Sequence, residues 1–348
     1  MSDKSRVLVT GAGSGVGQGI IKSLRLSGLD ITVIAADITP ANAGLYFCEE
    51  AILIPRLEDE GAFDILVAIL QSYKIDVVMV GSEYDLNFFS RHQLRLQELT
   101  DALIIVSPWN TVRIADDKWL TAEFLKQHGL PYAEALIPDS EREAVELAKS
   151  LGYPLILKSR SGTSARHVYL CEDEADLVSS FKLTPMPMLQ KLINKPSSEL
   201  NFEYTCSVFK DQGGNILGPF TSRRTLKSGT SWQIEVAHFD VAADLCLAVA
   251  SKIDFMGSLN IQLMVNEFGD PIPFEFNARF SGTTAVRAHF GFNEPEMALR
   301  SFYYNQKLDK PLITSGVAFR YYEEVFIDGL SANELAEGHV RGQRAAWI

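Results

Sequence analysis

The sequence GSLNIQLMVNEFGDPIPFEFNAR, residues 257–279, decides the fold of the region around it. Residues 257–265 and 271–277 are rich in apolar side chains, and the polar stretch at 267–270 between them has the composition of a tight turn. Short apolar runs on both sides of a turn predict a pair of neighbouring strands. We therefore expect a β-hairpin that belongs to an antiparallel sheet.

The second strand of this hairpin and the residues just after it carry polar side chains at alternate positions: Glu275, Asn277 and Arg279. Side chains alternate across a strand, so Glu275 and Asn277 share one face and lie about 7 Å apart. Mg²⁺ takes a few oxygen ligands from the protein and the rest from phosphate and water. Arg279, on the same face, can hold a phosphoryl group or an acyl phosphate through two parallel hydrogen bonds. The pattern predicts a metal and phosphate site.

The segments before the hairpin also suit an antiparallel α+β region. A single helix is expected over residues 111–128, because Gly129 and Pro131 together form a good helix stop. Hairpin-turn chemistry recurs at residues 211–214. The predicted strands are residues 153–158, 188–193, 202–209 and 215–220.

The N-terminal part follows a different pattern, in which short apolar strands alternate with amphipathic helices. This alternation predicts a doubly wound parallel sheet that ends near Pro108. A glycine-rich turn at residues 11–19 follows the first strand. The predicted strands are residues 6–10, 30–36, 51–54, 76–80 and 102–106, and the predicted helices include residues 16–27 and 62–73.

The glycine-rich turn allows two interpretations. Its sequence TGAGSGVG, residues 10–17, resembles the cofactor loop of short-chain dehydrogenases, and Asp37 ends the second strand where an acid would bind ribose. That chemistry also needs a tyrosine and a lysine four residues apart near the middle of the chain. Here Tyr303 and Lys307 lie far too late. We therefore favour a structural role, in which the glycines let the helix pack closely on the strand.

A second set of residues has a more specific order. It resembles the ATP-grasp superfamily, and most of all the branch that contains the large subunit of carbamoyl phosphate synthetase. The resemblance covers residues 6–310, and its most specific part is Glu-x-Asn-x-Arg on a strand after Asn-x-Gln. In chain order the set is Asp117-Lys118, Lys158 at a strand end, the small polar loop of residues 159–167, Gln190-Lys191, Glu203, Asn260-x-Gln262 and Glu275-x-Asn277-x-Arg279.

The resemblance implies an α/β plus α+β architecture. A Rossmann-like, doubly wound pre-ATP-grasp domain would span residues 1–110, and a two-subdomain ATP-grasp domain residues 111–310. Residues 120–190, approximately, would form a mobile subdomain, and residues 311–348 a short C-terminal segment.

The resemblance further implies ATP as cofactor, with Mg²⁺ or alternatively Mn²⁺. Because ATP carries four negative charges, its site needs cations, and a small polar loop can close over phosphates through peptide N–H groups. The residues implied to bind the nucleotide are Lys118, Lys158, Ser161, Gly162, Thr163, Gln190, Lys191, Ile193 and Glu203. Those implied to bind the metal are Gln262, Glu275 and Asn277, and those implied to act in catalysis are Lys158, Asn277 and Arg279.

The sequence departs from the family pattern at three positions. Gln190 stands where the family usually has an acid that meets the adenine amino group. Gln262 stands where a metal-binding acid is common, so one metal ion would be held more weakly. Glu199 competes with Glu203 for the ribose, because the stretch between Ile193 and Glu203 is longer than usual.

The implied activity is that of an ATP-dependent carboxylate–amine ligase. A small-molecule carboxylate would attack the γ-phosphorus to give an acyl phosphate and ADP, and an amine would then displace phosphate. Carbamoyl phosphate synthetase is far longer, so a stand-alone ligase fits this length better. Two rivals are a nucleotide-binding regulatory protein without catalysis and the short-chain reductase.

Two further segments, treated as loops, are candidates for contacts with substrate or acyl phosphate. They are Arg223-Arg224 with residues 228–231, and residues 281–284. Plain turns explain them equally well. Single residues also have structural alternatives: Lys118 or Lys158 could be solvated lysines, and Glu275 could pair with Arg279.

Composition excludes several classes of function. The formal net charge of -12 argues against sequence-independent nucleic-acid binding, which needs a basic surface. No apolar run approaches the ~18 residues of a membrane span, so we expect no membrane association. The four cysteines are widely spaced, which predicts reduced core residues in a cytoplasmic protein. A homodimer is compatible with the sequence.

Overall fold

The computed structural model describes residues 4–162, 166–194, 203–340 and the backbone of residues 343–344. Three β-sheets organise this part of the chain: a five-stranded sheet near the N-terminus, a four-stranded sheet and a seven-stranded sheet. None of the helices found there is both long enough and apolar enough to span a bilayer.

The five-stranded sheet is entirely parallel and has the order β3-β2-β1-β4-β5, which confirms the predicted doubly wound domain. Helices cover both faces, so Val7 and Val9 of the central strand enter one core and Leu8 enters the other. The elements are β1 (Ser5–Val9), α1 (Gly15–Leu26), β2 (Ile31–Asp37), a 3₁₀ helix (Ala43–Phe47), β3 (Glu50–Leu53), α2 (Ala62–Ser72), β4 (Val77–Met79), α3 (Glu83–Thr100) and β5 (Leu103–Ile105).

The glycine-rich turn is built for close packing. A Cβ atom on Gly17 would overlap the carbonyl oxygen of Gly11, and one on Gly81 would overlap that of Thr10. Glycine is therefore required where the turn after β1, the start of α1 and the loop after β4 meet.

Asp37 has a structural role at the same turn. Its carboxylate accepts hydrogen bonds from the peptide N–H of Gly13 at 2.8 Å, the N–H of Ile38 at 2.8 Å and the side-chain amide of Asn42 at 2.6 Å. These three hydrogen bonds hold the Asp37 carboxylate on the glycine-rich turn itself. This arrangement agrees with the structural interpretation of the loop.

The four-stranded sheet is antiparallel and has the order β6-β9-β7-β8. Two helices pack on it around a small core that contains Leu155, Leu157 and Leu177. Its elements are β6 (Ala135–Leu136), α6 (Glu141–Leu151), β7 (Leu155–Ser159), β8 (Val168–Cys171), α7 (Glu174–Phe181) and β9 (Pro187–Lys191).

The seven-stranded sheet contains the predicted hairpin, in which Gln262 lies opposite Glu275 and Asn260 opposite Asn277. Its order is β15-β14-β10-β12-β13-β16, and β11 also pairs with β10. The strands are β10 (Glu203–Lys210), β11 (Ile216–Phe220), β12 (Ser222–Lys227), β13 (Thr230–Val236), β14 (Gly257–Val265), β15 (Pro271–Asn277) and β16 (Gly316–Phe319).

The remaining elements pack around this sheet or lie near the C-terminus. They are α8 (Asp240–Ala250), α9 (Thr284–His289), α10 (Glu294–Ala298), a π-helical turn (Leu299–Tyr303), α11 (Ala332–Ala336), β17 (His339–Val340) and β18 (Gln343–Arg344). One core joins the first domain to the large sheet, because Val9 belongs to the same apolar cluster as Phe209, Phe220 and Phe292.

The structure corrects the predicted helix over residues 111–128. Two helices occur instead, α4 (Trp109–Asp116) and α5 (Lys118–Gln127). Asp117 separates them because its carboxylate caps α5, accepting hydrogen bonds from the peptide N–H groups of Trp119 and Leu120.

Residues 223–231 are also corrected. They form the β12–β13 hairpin of the large sheet rather than a loop between strands. Polar and basic residues suit this hairpin because one face of it borders a cleft. In addition, β16 lies within residues 311–348 and pairs with β13, so this segment adds a strand to the sheet.

A capping prediction follows from Asp117. Asp117→Ala removes two hydrogen bonds to the start of α5 and an ion pair with Arg160, so the free energy of unfolding should fall by about 1 kcal/mol. Urea denaturation measures this change. The control is Asp173→Ala, which removes the same kind of cap from α7 and should cost a similar amount. An unchanged urea midpoint in Asp117→Ala would refute the capping role.

Candidate active site

A cleft of about 1270 Å³ lies where the three sheets meet. The four-stranded sheet contributes the end of β7, the large sheet contributes β14 and β15, and the first domain contributes the loops after β1 and β4. The structure brings most of the sequence-predicted site residues to its walls: Lys118, Lys158, Gly162, Gln190, Lys191, Ile193, Glu203, Gln262, Glu275 and Arg279.

Three other predicted residues have different positions. Asn277 lines a small cavity beside the cleft together with Arg279 and Glu83. The Ser161 hydroxyl donates to Asp116 at 3.1 Å, which attaches the start of the polar loop to the end of α4. Thr163 lies outside the described residues, as does Glu199.

The predicted metal face is a group of hydrogen-bonded side chains. Oε1 of Glu275 accepts from the amide nitrogen of Gln262 and from that of Asn277, each at 3.2 Å. Strand register explains the geometry, because Gln262 faces Glu275 across the β14–β15 pair and Asn277 is two residues on. The face offers one carboxylate and two amide oxygens, an all-oxygen set of the kind that hard divalent cations prefer.

Arg279 is buried beside this face. Its guanidinium donates to Oδ1 of Asn277 at 2.8 Å and to the carbonyl oxygen of Phe280 at 2.7 Å. It also forms an ion pair with Glu83, from the first turn of α3. Burial, with a smaller contribution from the positive charge of Arg287, lowers the pKa of Arg279 to about 9. A first-domain acid thus meets the large-sheet arginine at one end of the cleft.

The two predicted lysines converge from different elements. Lys118 begins α5, and its ammonium donates to the carbonyl oxygen of Gly162 at 3.0 Å. Lys158 lies on β7 and is 5% exposed. Burial, with a smaller contribution from the positive charge of Lys118, lowers the pKa of Lys158 to about 7, although Glu275 and Glu203 oppose the shift. The nearby carboxylates do not supply enough negative charge to keep the buried Lys158 fully protonated.

Arg224 connects the other predicted acid to the metal face. It pairs with Glu203 at 3.0 Å, donates to Oε1 of Gln262 at 2.8 Å and donates to the hydroxyl of Ser231 at 2.9 Å. These contacts are possible because β12 lies beside β10 in the sheet. Sequence reasoning noted the Arg223-Arg224 pair as a candidate contact but missed that Arg224 joins Glu203 to Gln262.

The residues predicted to meet adenine lie at the end of β9. Gln190 is buried between its neighbouring strands, opposite Ala135 and Ile156. The peptide N–H of Lys191 donates to the carbonyl oxygen of Glu134 at 2.8 Å, so it is already used. Ile193 follows on the cleft wall.

Arg320 also lines the cleft, although no sequence pattern indicated it, since it lies in the predicted short C-terminal segment. Its guanidinium donates to the carbonyl oxygen of Gly282 at 2.7 Å, and its Nη1 lies next to Gly15 at the start of α1. Burial and the charge of Arg224 lower the pKa of Arg320. This end of the cleft therefore carries positive charge.

Comparison with known families identifies the class of this protein. Residues 117–291 match the family described as carbamoyl-phosphate synthase L chain, ATP binding domain, and residues 7–104 match the PylC-like N-terminal domain. The chain belongs to this carbamoyl-phosphate synthase-like family of the ATP-grasp superfamily.

Individual relatives are more distant. The chain is 23% identical to the arginine-specific large chain of carbamoyl phosphate synthase from Cutaneotrichosporon cutaneum over 311 residues, 82% of this chain and 26% of that protein. It is also 23% identical to the Methanosarcina barkeri large chain over 310 residues, 81% of this chain and 28% of that one. The chain thus spans about a quarter of the length of these relatives.

Solved structures share the fold. The biotin carboxylase domain of Hydrogenobacter thermophilus 2-oxoglutarate carboxylase matches with a TM-score of 0.71 and 17% identity, covering 90% of this chain and 73% of that one. N5-carboxyaminoimidazole synthetase from Staphylococcus aureus, complexed with ADP, matches with a TM-score of 0.71 and 19% identity, covering 91% and 82%. These likenesses confirm the predicted architecture.

The lowered pKa of Lys158 predicts proton uptake when a polyanion binds. At about pH 8, between the lowered value near 7 and the ordinary 10.5, Lys158 is largely neutral, and bound phosphates should recharge it. Calorimetric titration with Mg-ADP in buffers of different ionisation enthalpy should show uptake of up to one proton. Lys158→Met should abolish that uptake. Equal binding enthalpies in all buffers for the unmodified protein would contradict this assignment.

Proposed function

We propose that this protein is an ATP-dependent carboxylate–amine ligase that works through an acyl phosphate. The observation that carries the proposal is the meeting in one cleft of Lys158, from β7 of the four-stranded sheet, with Glu275 and Arg279, from the end of β15 in the large sheet. Two cationic side chains that lie beside a set of oxygen ligands for a metal ion suit the transfer of a phosphoryl group. The family to which the chain belongs is described as an ATP-binding domain, which supports the same nucleotide.

Within this proposal the nucleotide lies along the cleft. The adenine contacts Gln190, the carbonyl group of Lys191 and Ile193. Glu203 contacts the ribose and is shared between the ribose and Arg224. Lys118, Lys158 and the loop at Ser161, Gly162 and Thr163 hold the phosphates. The proposed mobile subdomain, approximately residues 120–190, would close this loop over them and keep water from the acyl phosphate.

The metal face suits Mg²⁺ because its donors are Glu275, Asn277 and Gln262, all through oxygen. Bound there, the ion supplies charge neutralisation for the β- and γ-phosphates. The amide oxygens of Asn277 and Gln262 now accept from Arg279 and Arg224. Loading of the site therefore requires these guanidinium groups to turn, and the incoming phosphates attract them.

The reaction needs no protein nucleophile. The substrate carboxylate attacks the γ-phosphorus and ADP leaves, while Arg279 stabilises charge on the transferred phosphoryl group. An amine then attacks the acyl carbon and inorganic phosphate leaves. The protein is proposed to act in the cytoplasm, as a homodimer.

The first test is ADP release from Mg-ATP, screened against pools of amino acids and of small carboxylates that include bicarbonate. A pool that supports the reaction should give release that Lys158→Ala abolishes, because the phosphates lose their buried cation. If no pool gives release, Mg-ATP binding is titrated directly. Absence of binding would overturn the nucleotide assignment, while binding without any turnover would favour a regulatory protein.

The metal face gives a separate prediction. Glu275→Ala removes the one carboxylate of the face, so turnover should fall by about a hundredfold or more while the melting temperature changes little. Glu267→Ala, in the exposed turn of the same hairpin, serves as the control and should keep full activity. Full activity in Glu275→Ala would mean that the metal face is misplaced.

A further inference from the structure

The first-domain sheet contains a natural ligand position. Its strand order reverses between β1 and β4, since β2 and β3 lie on one side of β1 while β4 and β5 lie on the other. Open α/β sheets bind ligands in the crevice beyond the carboxyl ends of the strands at such a reversal. Here the crevice opens into the cleft, where Gly11, Gly81 and Ser82 line it. The first domain can therefore present a ligand to the phosphoryl-transfer centre.

Asp85 is a buried acidic residue of this crevice. It lies in the first turn of α3, lines the cleft and is 7% exposed. In the described part of the chain, a hydrogen bond with the hydroxyl of Thr10 favours the charged form of Asp85, and the negative charges of Asp37 and Glu58 disfavour it. Among the described residues no lysine, arginine or histidine pairs with it. Burying an unpaired carboxylate costs free energy unless a cation binds to it.

Asp85 is also close to the reacting end of the cleft. Glu83, in the same first turn of α3, forms the ion pair with Arg279, and both acids line the cleft. A ligand whose cationic end binds Asp85 would therefore extend into the cleft.

We propose that the amine substrate binds in this crevice with its ammonium group on Asp85, and that Asp85 takes the proton that must leave before the amine attacks. This inference rests on the proposed ligase function and identifies the cationic substrate of the same cleft as a primary amine.

The ammonium nitrogen gives one proton to the Asp85 carboxylate, and its lone pair then forms the C–N bond at the acyl carbon. The bond from that carbon to the phosphate oxygen breaks, and phosphate leaves with the electron pair. The second nitrogen proton passes to the departing phosphate, which leaves a neutral amide, hydrogen phosphate and a protonated Asp85 that returns its proton to solvent.

The two acids at the start of α3 differ in their fitness as bases. Glu83 is held as an anion by Arg279, which weakens it as a proton acceptor. Asp85 has no such partner, and burial raises its pKa to about 6. An acid whose pKa is closer to neutrality is the better general base at physiological pH.

The test separates the two half-reactions in the full chain. Hydroxylamine, a small nucleophile that does not need a cation site, traps the acyl phosphate as a hydroxamate in the presence of Mg-ATP and the active carboxylate pool. Amide formation is followed in parallel by mass spectrometry with a pool of the common amino acids, putrescine and methylamine. The variants are Asp85→Asn and, as control, Asp64→Asn, an exposed acid in the first turn of α2.

We expect Asp85→Asn to keep hydroxamate formation within about twofold and to lose amide formation by about a hundredfold, the scale of a general base. Asp64→Asn should match the unmodified protein in both assays. Amide formation at the normal rate in Asp85→Asn, or equal loss of both products, would overturn the inference. Absence of hydroxamate from the unmodified protein with every carboxylate would instead count against the ligase function.

Discussion

The register of the β14–β15 hairpin is the constraint on which the rest of the site depends. It places Gln262 opposite Glu275, and the carboxylate then collects one amide from each strand. From this centre the contacts extend in two directions, through Gln262 to Arg224 and through Asn277 to Arg279. A one-residue slip would turn all of these side chains to the apolar face, so the hairpin determines both the fold and the chemistry.

Burial of positive charge is the second physical theme of the cleft. Lys158 and Arg279 are both removed from water, and burial lowers the pKa of each. Such groups are tolerated where a partner anion arrives to complete them. Glu83, from the first domain, forms an ion pair with Arg279, whereas the carboxylates that act on Lys158 are more distant. The cleft is thus arranged for an anion that the protein itself does not supply, which fits a polyphosphate.

Sequence patterns predicted the layers of the fold well, because alternation and glycine turns are local signals. They failed where local signals were ambiguous: the apolar pattern runs on through Asp117, so the break between α4 and α5 was missed. The polar residues 223–231 looked like a loop but form a hairpin. Contacts between residues far apart in the chain, such as Arg224 with Glu203 or Arg279 with Glu83, had no sequence signal, since only folding brings them together.

The most direct test of the account is a crystal structure of the full chain with Mg²⁺ and a non-hydrolysable ATP analogue. We expect the γ-phosphate to lie between Lys158 and Arg279, the metal to bind Glu275 and Asn277, and the adenine to lie against Gln190 and residues 191–193. A nucleotide bound instead at the glycine-rich turn of the first domain, with its ribose on Asp37, would contradict it.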